Sequence, residues 1–198
     1  MTFADPSKNV ASFGLRPGMI VADFGAGTGI YCFEMAKQIL PKWWLTVRQG
    51  IAIVNAGIDE SNSEDKLILL PEDCIASAER IRKALIEKFH ILNCGVVITD
   101  SRVAPLRAGV TGVALGYAGF KGVRDYRGTS DIFGKTMEVT QTNIADSLAT
   151  AATLVMGEGS EQQPIAIITD APVVFVDTVD REEVLIDPKE DIYRDLFS

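Results

Sequence analysis

Between Arg102 and Lys135 six cations, Arg102, Arg107, Lys121, Arg124, Arg127 and Lys135, stand against only Asp125 and Asp131, although the whole chain of 198 residues carries a net charge of −8. A basic island in an acidic protein is either a site for an anion or a solvated loop. Arginine is the residue type that meets a phosphate or carboxylate with two parallel hydrogen bonds, so Arg107, Arg124 and Arg127 carry the first reading; exposed loop charge is the second. Just upstream, the apolar run Val96 to Thr99 delivers Asp100, an acid at the end of a buried strand that holds a cation or caps a turn. A second chemistry-bearing feature is the glycine run from Gly25 to Gly29 behind the strand-like Val21 to Phe24. A strand-to-helix turn of this kind lets a backbone approach a cofactor closely, or serves only as a tight connection. Cys32, Cys74 and Cys94 are odd in number and widely spaced, and His90 is the single histidine, so neither a disulfide framework nor a thiolate zinc site is indicated.

These groups need elements to hold them. After the glycine run a helix is expected over Tyr31 to Leu40, ending at Pro41, and Trp43–Val47 with Ile51–Val54 reads as a hairpin around Gln49 and Gly50. Asp73 is placed to cap a helix with Ile75, Ala78, Ile81, Leu85 and Phe89 on one face. A strand over Val96–Thr99 follows, then a glycine-punctuated stretch to Gly134 that calls for tight turns and close backbone approach, with Val113–Leu115 as a short strand inside it. Met137–Thr140 reads as a strand. Asn143 to Met156 reads as a helix with Ile144, Leu148, Ala151, Ala152 and Val155 on one face, closed by Gly157. Pro164–Thr169 and Val173–Val176 read as strands, and a short helix is expected around Asp191–Phe197. No apolar run approaches the roughly 18–20 residues of a membrane helix. There is no basic-then-apolar secretory pattern, so the expected address is the cytoplasm. The acidic surplus argues against nonspecific nucleic-acid binding.

Two resemblances bear on function. VADFGAGTG from Val21 to Gly29, with LRPGM before it, resembles motif I of class I S-adenosylmethionine-dependent methyltransferases, but the further strand–helix units of that fold do not follow. Downstream the chain resembles the coenzyme F420-0:L-glutamate ligase family in many ordered segments. They are IVNAGIDESN from Ile53 to Asn62, LLPED from Leu69 to Asp73, ITDS from Ile98 to Ser101, RAGVTGVALG from Arg107 to Gly116 and RDYRGTSDIFG from Arg124 to Gly134. The series closes with Val139-Thr140, NIADSLATAA from Asn143 to Ala152, LVMG from Leu154 and PIAI from Pro164. On this basis residues 1–42 are set apart as a methyltransferase-like segment and residues 43–198 as the ligase-like domain.

The ligase resemblance implies an α+β fold of mixed sheets with helices, in an extended homodimer. It implies Mg2+ or Mn2+ and GTP, with L-glutamate and a carboxylate acceptor as the other small-molecule substrates. Asp100 becomes the first metal ligand, the segment at Thr140 and Gln141 the second, and Asp131 and Asp125 reserves whose other role is loop capping. Arg107, Arg124 and Arg127 are assigned to phosphate or carboxylate, and Asn55 and Asp59 to the substrate side, with turn chemistry as their alternative. Where many relatives carry an acid after the Val-Thr pair this chain has Gln141, and Arg102 to Arg107 keeps only the last arginine of the family's pattern. The family's own N-terminal nucleotide-site segments are not matched ahead of Trp43. Two other functions stay open: a ligase-like binding protein without turnover, and a methyltransferase fragment.

Overall fold

The computed structural model describes residues 37–40, 43–58, 62, 67–187 and 189–194. The Gly25–Gly29 turn, Asp59 and the end of the expected C-terminal helix lie outside them. The chain divides into two compact units, residues 1–58 with 186–198, and residues 59–185.

In the first unit β1 (Lys37–Leu40), β2 (Trp43–Arg48) and β3 (Ile51–Val54) form an antiparallel meander in that order. The expected hairpin is present, and its turn residues Gln49 and Gly50 both have positive φ, 52° and 79°, the signature of a turn whose twist matches the strands. Helix through Leu40 is corrected to strand: Lys37, Gln38 and Leu40 pair with Leu45, Trp44 and Trp43. Only two residues separate Leu40 from Trp43, so local ladder pairing overrides the helical pattern. Asn55–Gly57 is a single 3-10 turn, tied back when Ala56 N–H donates to Thr46 Oγ1 at 2.9 Å.

The second unit is built on the antiparallel pair β4 (Val96–Val103) and β5 (Val110–Ala118). β4 does not stop at Thr99 as the polar run suggested. It continues through Asp100 because Val110–Val113 supplies ladder partners out to Val103. Likewise β5 is three times the strand expected, with Val113, Leu115 and Tyr117 buried along it. Ile98 pairs with Gly116 and Thr99 with Ala114, so Leu115 is an extra residue, a bulge. Side chains alternate along a strand, and the bulge breaks the count once. Gly112 therefore faces α2 (Ile144–Met156), where a Cβ would meet the Ala149 backbone and Thr153. Gly116 faces α1 (Cys74–Phe89), where a Cβ would stand 2.6 Å from Ile75 N. The two helices thus cover opposite faces of one thin sheet.

Both helices start as the sequence indicated. Asp73 accepts Ala76 N–H at 2.9 Å to cap α1, and Asn143 accepts Asp146 N–H at 2.9 Å to cap α2. The apolar face of α2 is corrected: Ala145 and Ala149 are buried with Ile144 and Leu148 beside them, while Ala151 is exposed and Val155 is 64% exposed. Small residues point inward because the backbone of β5 is so close. β6 (Val123–Asp125) and β7 (Gln141–Asn143) form a second two-stranded ladder running directly into α2. Met137–Thr140 is a loop, not a strand. Met137 N–H and C=O go to Thr129 and Gly128 in the 128–137 turn rather than to a ladder. Pro164–Thr169 has no strand partner among the described residues, and Val173–Val176 makes only an isolated bridge, Phe120 to Phe175. Every ladder among the described residues is antiparallel, where mixed sheets were expected.

Candidate functional site

The charged residues that the structure brings together sit on the β6–β7 ribbon. Asp125 stands opposite Gln141 in the ladder. The Arg127 guanidinium donates to Asp125 from Nε, at 3.0 Å to Oδ1 and 2.9 Å to Oδ2, and from its terminal nitrogen to Oδ2 at 2.5 Å. Arg127 N–H adds a bond to Oδ1 at 2.9 Å, and Gln141 Nε2 approaches Oδ2 at 3.3 Å. These donors, Arg127 first, hold the Asp125 carboxyl at about 2, below its ordinary 3.8, and the same contact raises Arg127. Asp125 is consequently an anion already neutralised by its neighbour.

Arg124 turns to the other side of the strand, donating to the Tyr126 hydroxyl at 3.4 Å and to the Pro172 carbonyl. Thr140 contributes its carbonyl to Tyr126 N–H at 3.1 Å. Beyond the ribbon Asp131 caps its own turn, its Oδ1 accepting Phe133 N–H and Lys135 N–H, each at 2.8 Å. That turn lifts Ile132 and Phe133 to a tip where they are 92% and 88% exposed. Arg107 lies in the exposed β4–β5 loop, where its N–H reaches the Ala104 carbonyl at 3.3 Å.

Asp100 is half-buried on β4 opposite Val113, with Oδ1 accepting Ser101 N–H at 2.8 Å. Asp100 lies on the β4–β5 ladder and Gln141 on the separate β6–β7 ladder. Among the described residues no three acidic, cysteine or histidine side chains converge. These residues do not by themselves fit a divalent cation. Asn55 belongs to the first unit's 3-10 turn.

Two further groups hold this region together. Asp146 accepts Ala114 N–H at 2.9 Å and Asn143 Nδ2 at 3.0 Å, and lies 3.6 Å from Arg102. Its place three residues after the cap is the visible part of a capping box; the bond to β5 has no local sequence signal. The buried Tyr117 hydroxyl donates to Glu183 at 2.7 Å, 66 residues away. Burial, then Glu183, pushes the Tyr117 phenol well above its ordinary value, so it remains a donor.

The site is thus a short ribbon of paired charges at the entrance to a helix, on an α+β scaffold. The family described as F420-0:Gamma-glutamyl ligase matches residues 15–170. The chain is 40% identical over 147 residues to a coenzyme F420:L-glutamate ligase of Methanococcus maripaludis (strain C7), covering 74% of this chain and 58% of that protein. It is 41% identical over 148 residues to the protein of that name in Methanocaldococcus jannaschii, with coverage of 74% and 58%. The corresponding Methanosarcina mazei protein is 44% identical over 129 residues, with coverage of 65% and 50%. The chain belongs to the F420-0:gamma-glutamyl ligase family. It spans between half and three-fifths of the length of these relatives, and its family match begins upstream of the glycine run at Gly25.

Proposed function

We propose that the chain serves an acid–amino-acid ligase that joins L-glutamate to a carboxylate substrate, coenzyme F420-0 or a related acid. The observation that carries this reading is the family match over residues 15–170, with relatives named as coenzyme F420:L-glutamate ligases. In the reaction a substrate carboxylate oxygen attacks the terminal phosphorus of GTP, and GDP leaves. The glutamate amine then attacks the acyl carbon, the C–N bond forms as the bond to phosphate breaks, and the amine proton leaves with a base. Such chemistry needs cations around the phosphates. Arg107, Lys121 and Lys135 are exposed in the basic island, and Arg124 and Arg127 edge the ribbon. Asp100 is our nominee for a ligand to Mg2+ or Mn2+, and we propose the homodimer as the working assembly. A bound divalent ion would neutralise phosphate charge there.

The second reading is a ligase-like binding protein without turnover. It is favoured by Gln141, a neutral amide that bonds Asp125 and offers no second carboxylate there. Calorimetry with GTP, with and without Mn2+, on the wild type and Asp100→Ala, together with phosphate release in the presence of F420-0 and L-glutamate, separates the two. Manganese-dependent GTP binding that Asp100→Ala loses, accompanied by phosphate release, is the expected result. Binding without release selects the second reading. No GTP binding under either condition refutes the first. S-adenosylmethionine binding alone would move attention to Gly25–Gly29.

A further inference from the structure

The segment that follows the family match is fastened across the second unit. Val176 N–H donates to the Gly119 carbonyl at 3.0 Å and Lys121 N–H to the Val174 carbonyl at 2.9 Å. Val179 is buried, Val184 packs against the core, and Arg181 reaches the α1 cap Asp73 at 2.6 Å. At the centre of this strap one oxygen, Glu183 Oε1, accepts both the Tyr117 hydroxyl at 2.7 Å and Gly122 N–H at 2.6 Å. The other end of the same residue is equally occupied: the Gly122 carbonyl accepts Ile144 N–H at 2.7 Å and Ala145 N–H at 3.1 Å, the first donors of α2. Gly122 is therefore where the strap, the start of β6 and the start of α2 meet. Asp125 follows three residues later, opposite Gln141, whose strand leads into the same helix end.

We propose that Glu183 is a positioning residue for the β6–β7 site: by fixing Gly122 it sets the seating of Asp125 and Arg127 against Gln141, an inference that rests on reading this ribbon as the ligase site. A side chain outside the matched region thereby governs a site within it. The hydrogen bonds of Glu183 go to Tyr117 and Gly122 and those of Asp125 to Arg127 and Gln141, so the influence travels through the Gly122 peptide and the three residues of β6. A carboxamide retains a carbonyl oxygen able to accept the same two donors, whereas alanine retains none.

The test uses the full chain and its Glu183→Ala, Glu183→Gln and Tyr117→Phe variants. Amide hydrogen exchange is followed at Tyr126, which donates to Thr140 across the ribbon, and at Ser77 in α1 as a control; acceptor kinetics are measured alongside. In Glu183→Ala exchange at Tyr126 is expected to quicken about tenfold while Ser77 stays within about twofold, and Glu183→Gln restores Tyr126 to within about threefold. The acceptor KM is expected to rise about tenfold with kcat within about threefold, because the ribbon binds rather than reacts. Tyr117→Phe leaves the Gly122 bond, so Tyr126 keeps its protection. Should Glu183→Ala fail to fold, Glu183→Asp, one methylene too short for either donor, is measured in its place with the same expectation. Tyr126 unchanged, Tyr126 and Ser77 quickening together, or no rescue by glutamine overturns the proposal. A wild type that releases no phosphate refutes the ligase reading alone, and the exchange pattern still decides the role of Glu183.

Discussion

Replacing Gly112 by alanine tests the close approach of α2 to β5 in the second unit. The added Cβ would run into the Ala149 carbonyl and Thr153 Oγ1, with the Ala149 carbonyl carbon at 2.6 Å. Two of these atoms are helix backbone, which cannot rotate away as a side-chain tip does, so α2 itself must shift. Overpacking of this kind costs about 1–3 kcal/mol. A shift of α2 also loosens the Thr150 hydroxyl bond to the Gly112 carbonyl, 2.9 Å in the native chain and worth about 1 kcal/mol. We take about 3 kcal/mol for the sum, which at about 2–4 °C per kcal/mol for a chain of this size lowers Tm by about 6–12 °C. Calorimetric melting is the assay, and Gly109→Ala is its control. Gly109 has φ of 86° with nothing within 4 Å of an added Cβ, so that variant pays only the left-handed backbone term, about 1–2 kcal/mol. Thr153→Ala combined with Gly112→Ala should recover a minor part, since the helix backbone still collides. A Gly112→Ala protein melting within about 2 °C of wild type, or above Gly109→Ala, would refute the close docking of α2 on β5.

Asp73 is held below its ordinary 3.8 first by the Arg181 guanidinium and then by Ala76 N–H, so its contribution to stability is present above pH 3.8 and is lost as pH falls through the lower folded value. Asp73→Asn should therefore show a shallower loss of Tm on acidification below about pH 4 than wild type, and parallel acid limbs would contradict this. Tyr117→Phe removes one donor from Glu183 while leaving Gly122 in place, and urea unfolding should report a loss of about 1 kcal/mol. Gln141→Glu sets a second carboxylate beside Asp125; Mn2+ should then raise Tm more in the variant than in the parent, and an equal shift would show that the ribbon gains no cation affinity.

The elements that were legible in the sequence are those fixed by neighbours a few residues away. Asp73 and Asn143 announce their helices because a cap and its N–H donors lie within three residues, and Gln49-Gly50 announces a hairpin because both positions accept positive φ. The errors share the opposite cause. Asp100, Ser101 and Arg102 look like the end of a strand, yet β4 continues because Val113, Gly112 and Thr111 return to pair with them. Met137 and Val139 carry a strand-like alternation, but Asp131 and Gly128 draw the backbone into a turn. Pro164–Thr169 is apolar and finds no ladder partner among the described residues. In the candidate site the residue types were visible and the pairings were not: Gln141 meets Asp125 across 16 residues and Glu183 meets Tyr117 across 66, distances over which composition and periodicity carry no information. The cation role foreseen for Asp100 with Gln141 likewise depends on a meeting between two separate ladders, for which the sequence carries no local signal.

The bulge at Leu115 has a mechanical meaning. With a glycine turned to each side, the sheet between α1 and α2 has no cushion of side chains at these two points; Cys74 bears on Gly116 and Ala149 on Gly112, and only Val113, Ala114 and Leu115 lie between the two pressure points. Close-packed interiors pass strain on instead of absorbing it, and backbone is the stiffest material available. A displacement imposed at the start of α1 is thus delivered to the middle of α2 as a rigid push, making the strand a short lever between one helix and the other.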